Sequence, residues 1–274
     1  MESQLDSTSH TSQLPDTQSL SDHRHIPIRK VGIRELELPL ALKISHNFEQ
    51  NTIAKCALDV SLEPSIKGTH MSRFVETLGE MSKPLDLFDL KSFLDLLLEK
   101  LPSSRAGFHI ECPIFLSKSA PVSGKNGPMK YLISALAEIK NGQFSQTNTL
   151  KVWVTTLCPC SKAISEFSAH NQRGEVTLKF QSSTKPDISE LIEIVEKSAS
   201  SELYSILKRV DEKKVTETAY LNPVFVEDLV RNIASELKNI KSLSWFQVEA
   251  ENFESIHLHN AYALVNSSDF PDIN

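Results

Sequence analysis

The feature that most constrains this chain is a change of hydrophobic period that occurs twice in the same order. Val31-Gly-Ile-Arg-Glu-Leu-Glu-Leu-Pro-Leu40 alternates apolar and polar residues at period two, as a strand does when one face is buried and the other wet. Thr52 to Leu62 alternates again through Ile53, Cys56, Leu58 and Val60, and Asn51 ahead of it predicts the turn of a hairpin. The period then lengthens. Phe74, Leu78 and Met81 share one helical face, and Leu85 to Leu101 reads as an apolar helix with Asp, Lys and Glu on its other side. Ala106–Leu116 and Lys130–Lys140 return to strand character around the turn-rich Ser123-Gly-Lys-Asn-Gly-Pro128. The order of this half is ββααββ.

The second half repeats it. Thr149–Leu157 and Gly174–Gln181 are predicted strands. Asp187 to Lys208 reads as a helix with Ile188, Leu191, Ile192 and Val195 on one face. Asn222-Pro223 offers an N-cap and a first-turn proline for a helix to about Lys238. Trp245–Glu249 and Ser255–Val265 close as strands. The expected class is α+β, with two tandem ββααββ units, 28–145 and 146–274. They follow a polar segment, 1–27, whose Ser, Thr, Gln, Asp and His content predicts a disordered tail carrying His10, His23 and His25.

Composition narrows the functional classes. Among 274 residues, 40% are hydrophobic and 23% charged, as in ordinary globular proteins. A net charge of −6 argues against general binding to nucleic acid or a membrane surface, while leaving room for a local basic pocket. No signal-peptide pattern and no apolar run of membrane-spanning length is present. Four cysteines in a chain this long do not form a disulfide framework. Cys56 and Cys112 sit in apolar strands and read as core fillers. A reducing cytoplasm is therefore expected, in which Cys158 and Cys160 are free to bind metal or react.

Five segments carry candidate chemistry. Thr156-Leu-Cys-Pro-Cys-Ser-Lys162 ends a strand in two cysteines, and Ala169-His-Asn-Gln-Arg173 follows closely. One cysteine acting as ligand or nucleophile beside His170 is one reading; two small residues at a tight strand end is the other. His257-Leu-His259 puts two imidazoles on one face of a predicted strand, turned either to a cleft or to solvent. Glu254, three residues before, is a candidate proton carrier. Lys208-Arg-Val-Asp-Glu-Lys-Lys214 reads first as a solvated loop. Glu227 opens a helix, where the macrodipole alone accounts for a carboxylate. Gly68-Thr-His-Met-Ser-Arg73 leads into a helix and is either an ordinary cap or a phosphate cradle.

Taken together, these segments resemble the type IB GTP cyclohydrolases of bacteria. The resemblance rests on Thr156–Lys162, Ala169–Arg173, Asp211-Glu-Lys213, Ala219-Tyr-x-Asn-Pro-x-Phe-Val-Glu-Asp228, Asn252-Phe-Glu-Ser-Ile-His-x-His259 and Gly68–Arg73, in order, from about Ile26 to Val265. It implies a tunnelling fold of two ββααββ units that assembles as an oligomeric barrel, a homotetramer with active sites at subunit interfaces. It implies hydrolysis of GTP to 7,8-dihydroneopterin triphosphate and formate, the first step of tetrahydrofolate synthesis. The implied cofactor is a divalent metal, zinc or manganese, with iron and magnesium as alternatives. By the same resemblance Cys158 is the metal thiolate and His170 and Glu212 are further ligands. His257 and His259 are ligands or proton carriers, Glu227 anchors the guanine edge, and Arg173, His70 and Arg73 bind the triphosphate. Leu258 departs from the family where a polar residue is usual, and Ser168 where glycine is common. The alternative is a tunnelling-fold protein of another activity, such as the NADPH-dependent nitrile reductase of queuosine synthesis.

Overall fold

The computed structural model describes residues 16–45, 48–80 and 83–270. β1 (Ile28–Ser45) and β2 (Phe48–Leu62) pair antiparallel from Ser45↔Phe48 to Ile28↔Leu62. Asn51, expected at the turn, lies within the ladder opposite Ala41. The strands run on because Leu42 and Ile44 continue the buried row that Ala54, Cys56 and Leu58 form on the partner. Part of the segment expected to be disordered is also bonded. Ser21 bridges Ile66, and the N–H groups of Lys67 and Gly68 donate to the Leu20 and Gln18 carbonyls at 3.0 and 3.1 Å. The side chains of residues 16–27 stay largely exposed, and backbone pairing holds the segment. His10 lies outside the described residues.

α1 (Ser72–Gly79) buries Phe74 and Leu78; Met81, expected on the same face, lies outside the described residues. The helix expected over Leu85–Leu101 is shorter. Leu85–Asp86 is a two-residue strand, β3, parallel to β1, and α2 spans Lys91–Lys100. Asp86 Oδ1 accepts the Phe88 N–H at 3.0 Å, a local turn that competes with helix. Leu85, Leu87 and Leu90 still reach the core, but from an irregular segment.

β4 (Arg105–Ser119), β5 (Asn126–Lys140), β6 (Gln143–Leu157) and β7 (Asn171–Ser182) continue an antiparallel meander. The β5–β6 turn is Asn141-Gly142, with φ of 50° and 80°, the left-handed pair a tight hairpin takes. α3 (Pro159–Ile164) sits between β6 and β7. α4 (Ile188–Ser198) is capped by Asp187, then β8 (Ser201–Glu202) pairs with β6. The helix expected to reach Lys208 therefore stops at Ser198, where Ser198-Ala-Ser-Ser201 turns its hydroxyls to backbone. The charge run expected as a loop is helical: α5 spans Arg209–Leu221. Its helicity was hidden because only Asp211 and Ala219 are buried along it, so no apolar stripe marks it. α6 (Val226–Leu237) starts after Pro223, because the Val224 N–H is committed to the Leu157 carbonyl.

β9 (Leu243–Asn252) and β10 (Ala261–Asn266) complete the sheet, and a 3-10 turn, Ser267–Asp269, follows. The strand expected over Ser255–Val265 is confined to its last residues. Phe253 donates its N–H to the Arg173 carbonyl at 3.0 Å, extending the β7–β9 pairing, and β10 returns only at Ala261 opposite Asn252, so His257 and His259 lie in the connecting loop. Strand order is β10-β9-β7-β6-β5-β4-β2-β1-β3, with β8 beside β6. One continuous core lies between one sheet face and the helices, with Phe93 of α2 on Phe108 of β4 at 4.6 Å between centroids. Ile53, Phe115, Leu136, Tyr262 and Leu264 are exposed along the strands, Ile53, Phe115 and Leu136 being out of phase with their strands' buried rows. Among the described residues no helix is long and apolar enough to cross a membrane.

Candidate active site

The site is built at the end of β6. The Leu157 N–H donates to Ser200 Oγ at 2.9 Å and the Leu157 carbonyl accepts from Val224 N–H at 3.1 Å, so the strand end is pinned from both sides. Cys158 then leaves the strand as the N-cap of α3, with Pro159 as its first residue. Cys158 Sγ accepts the Ser161 N–H at 3.4 Å, and the Cys158 N–H donates to the His170 carbonyl at 3.1 Å. The His170 N–H donates to Ser161 Oγ at 3.2 Å. The thiol and imidazole residues are thus laced together through backbone. Cys160 is exposed. Cys56 and Cys112 are buried, as expected of core fillers, and burial pushes both thiols up to about 12.

A relay fixes the His170 ring. Its Nδ1 lies 2.9 Å from Gln172 Oε1, while Gln172 Nε2 donates to Thr156 Oγ1 at 2.9 Å. With the amide nitrogen committed to Thr156, the oxygen faces the ring, so Nδ1 carries the proton and Nε2 keeps its lone pair. Glu254 Oε2 stands 3.9 Å from the same Nδ1; the sequence marked Glu254 only as a proton carrier near the histidine pair. Gln172 and Thr156 were missed, although a signal existed. Each core-facing row ends in a polar residue at this end of the sheet: Thr156 after Val152 and Val154, Gln172 before Gly174 and Val176, and Asn252 after Val248 and Ala250. Asn252 is 3% exposed and its Oδ1 has no hydrogen-bond partner among the described residues. Gly174 makes room for it, since a Cβ there would fall 2.8 Å from that oxygen.

α5 walls the site from the helix side. A cavity of about 370 Å³ lies among Leu157, Ser168, Asn171, Thr216, Tyr220 and Leu221. Lys162 Nζ donates to the Tyr220 carbonyl at 2.5 Å, joining α3 to α5. Glu212 stands one turn before Thr216, whose hydroxyl donates to the Glu212 carbonyl at 2.8 Å, about 6 Å along the axis from the cavity wall. Glu227 is exposed in the first turn of α6, beside the buried Val226, Leu229 and Val230. Ser168, where glycine is usual in the resembling family, has φ of 131°, a conformation glycine adopts freely and serine does not.

His257 and His259 are exposed on the β9–β10 loop with rings stacked at 4.9 Å and 15°. Arg173 is exposed on β7 at the Cys158 end. His70 and Arg73 are placed elsewhere. His70 Nε2 faces Asp16 Oδ2 at 3.4 Å, and Arg73 Nη1 donates to the Lys100 carbonyl at 2.9 Å. Both follow the Leu62 end of β2. The register Val60↔Ala106, Ala106↔Ile139 and Ile139↔Phe144 puts that end level with the start of β6. Cys158 follows the far end of β6, on the order of 40 Å along the strand at about 3.3 Å per residue. One chain does not bring His70 and Arg73 to Cys158.

The donor types around Cys158 suit a divalent metal: a thiol, an imidazole whose Nε2 is left available, and carboxylates. Among the described residues of one chain, no three His, Cys, Asp or Glu side chains converge closely enough to hold one. A metal at Cys158 would need further donors from the loop bearing His257, from α5, or from another copy.

Comparison with known proteins identifies the family. A family model described as type I GTP cyclohydrolase folE2 matches residues 14–263, so the family pattern begins inside the segment read from sequence as an extension. The chain is 48% identical over 256 residues to the GTP cyclohydrolase FolE2 of Akkermansia muciniphila, covering 92% of this chain and 97% of that one. It is 44% identical over 255 residues to the namesake from Magnetococcus marinus, covering 92% and 96%. In structure it is similar to a hyperthermostable mutant of the urate oxidase of Bacillus sp. TB-90, with a TM-score of 0.51 at 10% identity over 89% of this chain; at that identity the likeness concerns the fold alone. From the ordered motifs and the match over nearly its whole length, the chain belongs to the type I GTP cyclohydrolase folE2 family.

Proposed function

We propose that this protein hydrolyses GTP to 7,8-dihydroneopterin triphosphate and formate, the first step of tetrahydrofolate synthesis, with a divalent metal at Cys158. The observation that carries the reading is the lacing of Cys158 to His170 at the end of β6, within a chain that matches the cyclohydrolase family from residue 14 to residue 263. The curated relatives are named as cyclohydrolases, which favours this activity over nitrile reduction.

Cys158, His170, Glu212 and His257 would hold zinc or manganese, with iron and magnesium as alternatives. A divalent metal held there would supply Lewis acidity to activate water for hydrolysis at C8 of the purine. The Gln172–Thr156 relay keeps His170 Nε2 turned to that task. His259 and Glu254 carry protons during ring opening and reclosure, which need several transfers. The Glu227 carboxylate accepts two N–H bonds from guanine N1 and the 2-amino group. Arg173 binds the triphosphate through its forked donors.

His70 and Arg73 join the same triphosphate only if a second copy supplies them, since within one chain they lie at the other end of the sheet. Ile164, Phe167, Leu221, Ile256 and Leu258 are exposed large apolar residues on the elements around the site, a composition that favours coverage by protein. Both observations support a homotetramer with active sites at subunit interfaces, in which two tandem ββααββ units per chain build a barrel. The substrate and the free thiols support a cytoplasmic location.

The test is to load the purified protein with Mn²⁺ or Zn²⁺ and assay formate and pterin fluorescence from GTP. Product formation, lost in Cys158→Ala, is expected. Metal-loaded protein that releases no formate from GTP would sink the reading.

A further inference from the structure

We infer that Asp211 is a positioning residue that sets the Glu212 carboxylate through the β4–β5 turn. The inference rests on the proposed role of Glu212 as a metal ligand and adds to it what holds that ligand in place.

Asp211 is fully buried in a helix whose other side chains are almost all exposed. Its carboxylate is saturated. Oδ1 accepts the Val122 and Ser123 N–H groups at 2.9 and 2.7 Å, and Oδ2 accepts Ser123 Oγ at 2.6 Å and Lys208 N–H at 2.8 Å. One of these donors, the Lys208 N–H, closes the cap of α5; the other three belong to a turn almost ninety residues earlier in sequence. A carboxylate offers about four lone-pair directions, so Asp211 has none left for a ligand. Its neighbour is the opposite case. Among the described residues the Glu212 side chain makes no hydrogen bond or ion pair and is exposed.

The turn itself is anchored. The β4–β5 ladder runs to Ser119↔Asn126, at the same sheet end as Leu157, because Leu132 of β5 pairs with Lys151 of β6. Just before the turn, Lys118 Nζ lies 2.7 Å from Glu196 Oε2 and 2.8 Å from Glu202 Oε2, and Tyr131 donates to Glu196 Oε1 at 2.9 Å. The turn is therefore fixed to α4 and β8, and Asp211 transfers that fixed point to the start of α5. An adjacent residue on a helix whose first turn is clamped has its Cα direction defined to within its rotamers. That is how an outer carboxylate tunes a ligand it does not touch.

The experiment measures Mn²⁺ affinity of the full-length protein by calorimetry and by the electron paramagnetic resonance signal of bound Mn²⁺. The variants are Asp211→Asn, Ser123→Ala, Glu212→Gln and the Asp211→Asn/Glu212→Gln double variant. Leu237→Ala, far along α6, controls for lost stability alone. Asp211→Asn is expected to weaken Mn²⁺ binding about 10- to 100-fold, Ser123→Ala less, and Leu237→Ala not at all. In the Glu212→Gln background Asp211→Asn is expected to add nothing, as two residues acting through one group do. Unchanged Mn²⁺ affinity in folded Asp211→Asn, or full additivity in the double variant, overturns the inference while leaving Glu212 a ligand. Unchanged affinity in Glu212→Gln overturns the ligand reading itself. If Asp211→Asn does not fold, Ser123→Ala, which removes one bond of four, decides the same question.

Discussion

His170 Nδ1 and Gln172 Oε1 stand 2.9 Å apart, and the amide nitrogen of Gln172 holds Thr156 Oγ1 at the same distance. The three residues come from the ends of two adjacent strands, and the backbone pairing of Thr156 with Gln172 brings the relay into line. A core-facing glutamine is an expensive choice for a sheet, since a buried amide must satisfy both ends. Here both ends are satisfied, and the outcome is one tautomer of one imidazole.

Gln172→Ala is accordingly expected to weaken metal binding by about 10- to 100-fold while the protein remains folded. Removing the amide leaves Thr156 Oγ1 without its donor and frees the ring to take either tautomer. A Mn²⁺ titration of the folded variant checks this, and wild-type affinity would show that the relay does not govern His170.

Ser168 provides a stability prediction. Its φ of 131° lies where a Cβ is strained, and the cost of such a residue is on the order of 1–3 kcal/mol. Ser168→Gly relieves the strain but enlarges the freedom of the unfolded chain, which takes back about 0.4–1 kcal/mol. The expected net gain is about 1 kcal/mol, or a Tm increase of about 2–4 °C at this size. A thermal melt of the variant with no increase in Tm would show that the loop already tolerates serine.

Asp211 sets an acid limit. Burial of the carboxyl opposes its ionisation, but bonds from Ser123, through both side chain and backbone, and from the Lys208 and Val122 N–H groups outweigh it. They hold its pKa well below the ordinary 3.8. A depressed folded-state pKa contributes stability that is fully present above 3.8 and is lost as pH falls below it towards the folded value. Wild-type Tm is therefore expected to fall more steeply than that of Asp211→Asn on acidification below about pH 4. Parallel Tm–pH curves for the two proteins would show that the clamp does not depend on the charge.

Much of the fold was legible because its strands are amphipathic. Val152, Val154, Val176 and Leu178 alternate with polar neighbours, so the period-two pattern located β7 and the end of β6, while β6 begins at Gln143, well before the expected Thr149. α5 was not legible, since Arg209–Leu221 buries only two side chains and its helix is held by the Asp211 clamp. The same physics misplaced His257 and His259. Ser255–Val265 has strand composition, yet β10 pairs with β9 only from Ala261, opposite Asn252, and the residues before it form the connection.

The sequence by itself determined the family, the identity of the chemical groups and the side of each strand that faces the core. These depend on residue type and local period, which are written along the chain. Only the tertiary structure decided which of those groups meet. It set Cys158 against His170 through backbone bonds, joined His170 to Gln172 and Thr156 across a strand pair, and brought Glu254 beside the same ring. It also put His70 and Arg73 at the other end of the sheet from Cys158, because antiparallel register converts distance along the chain into distance along a strand.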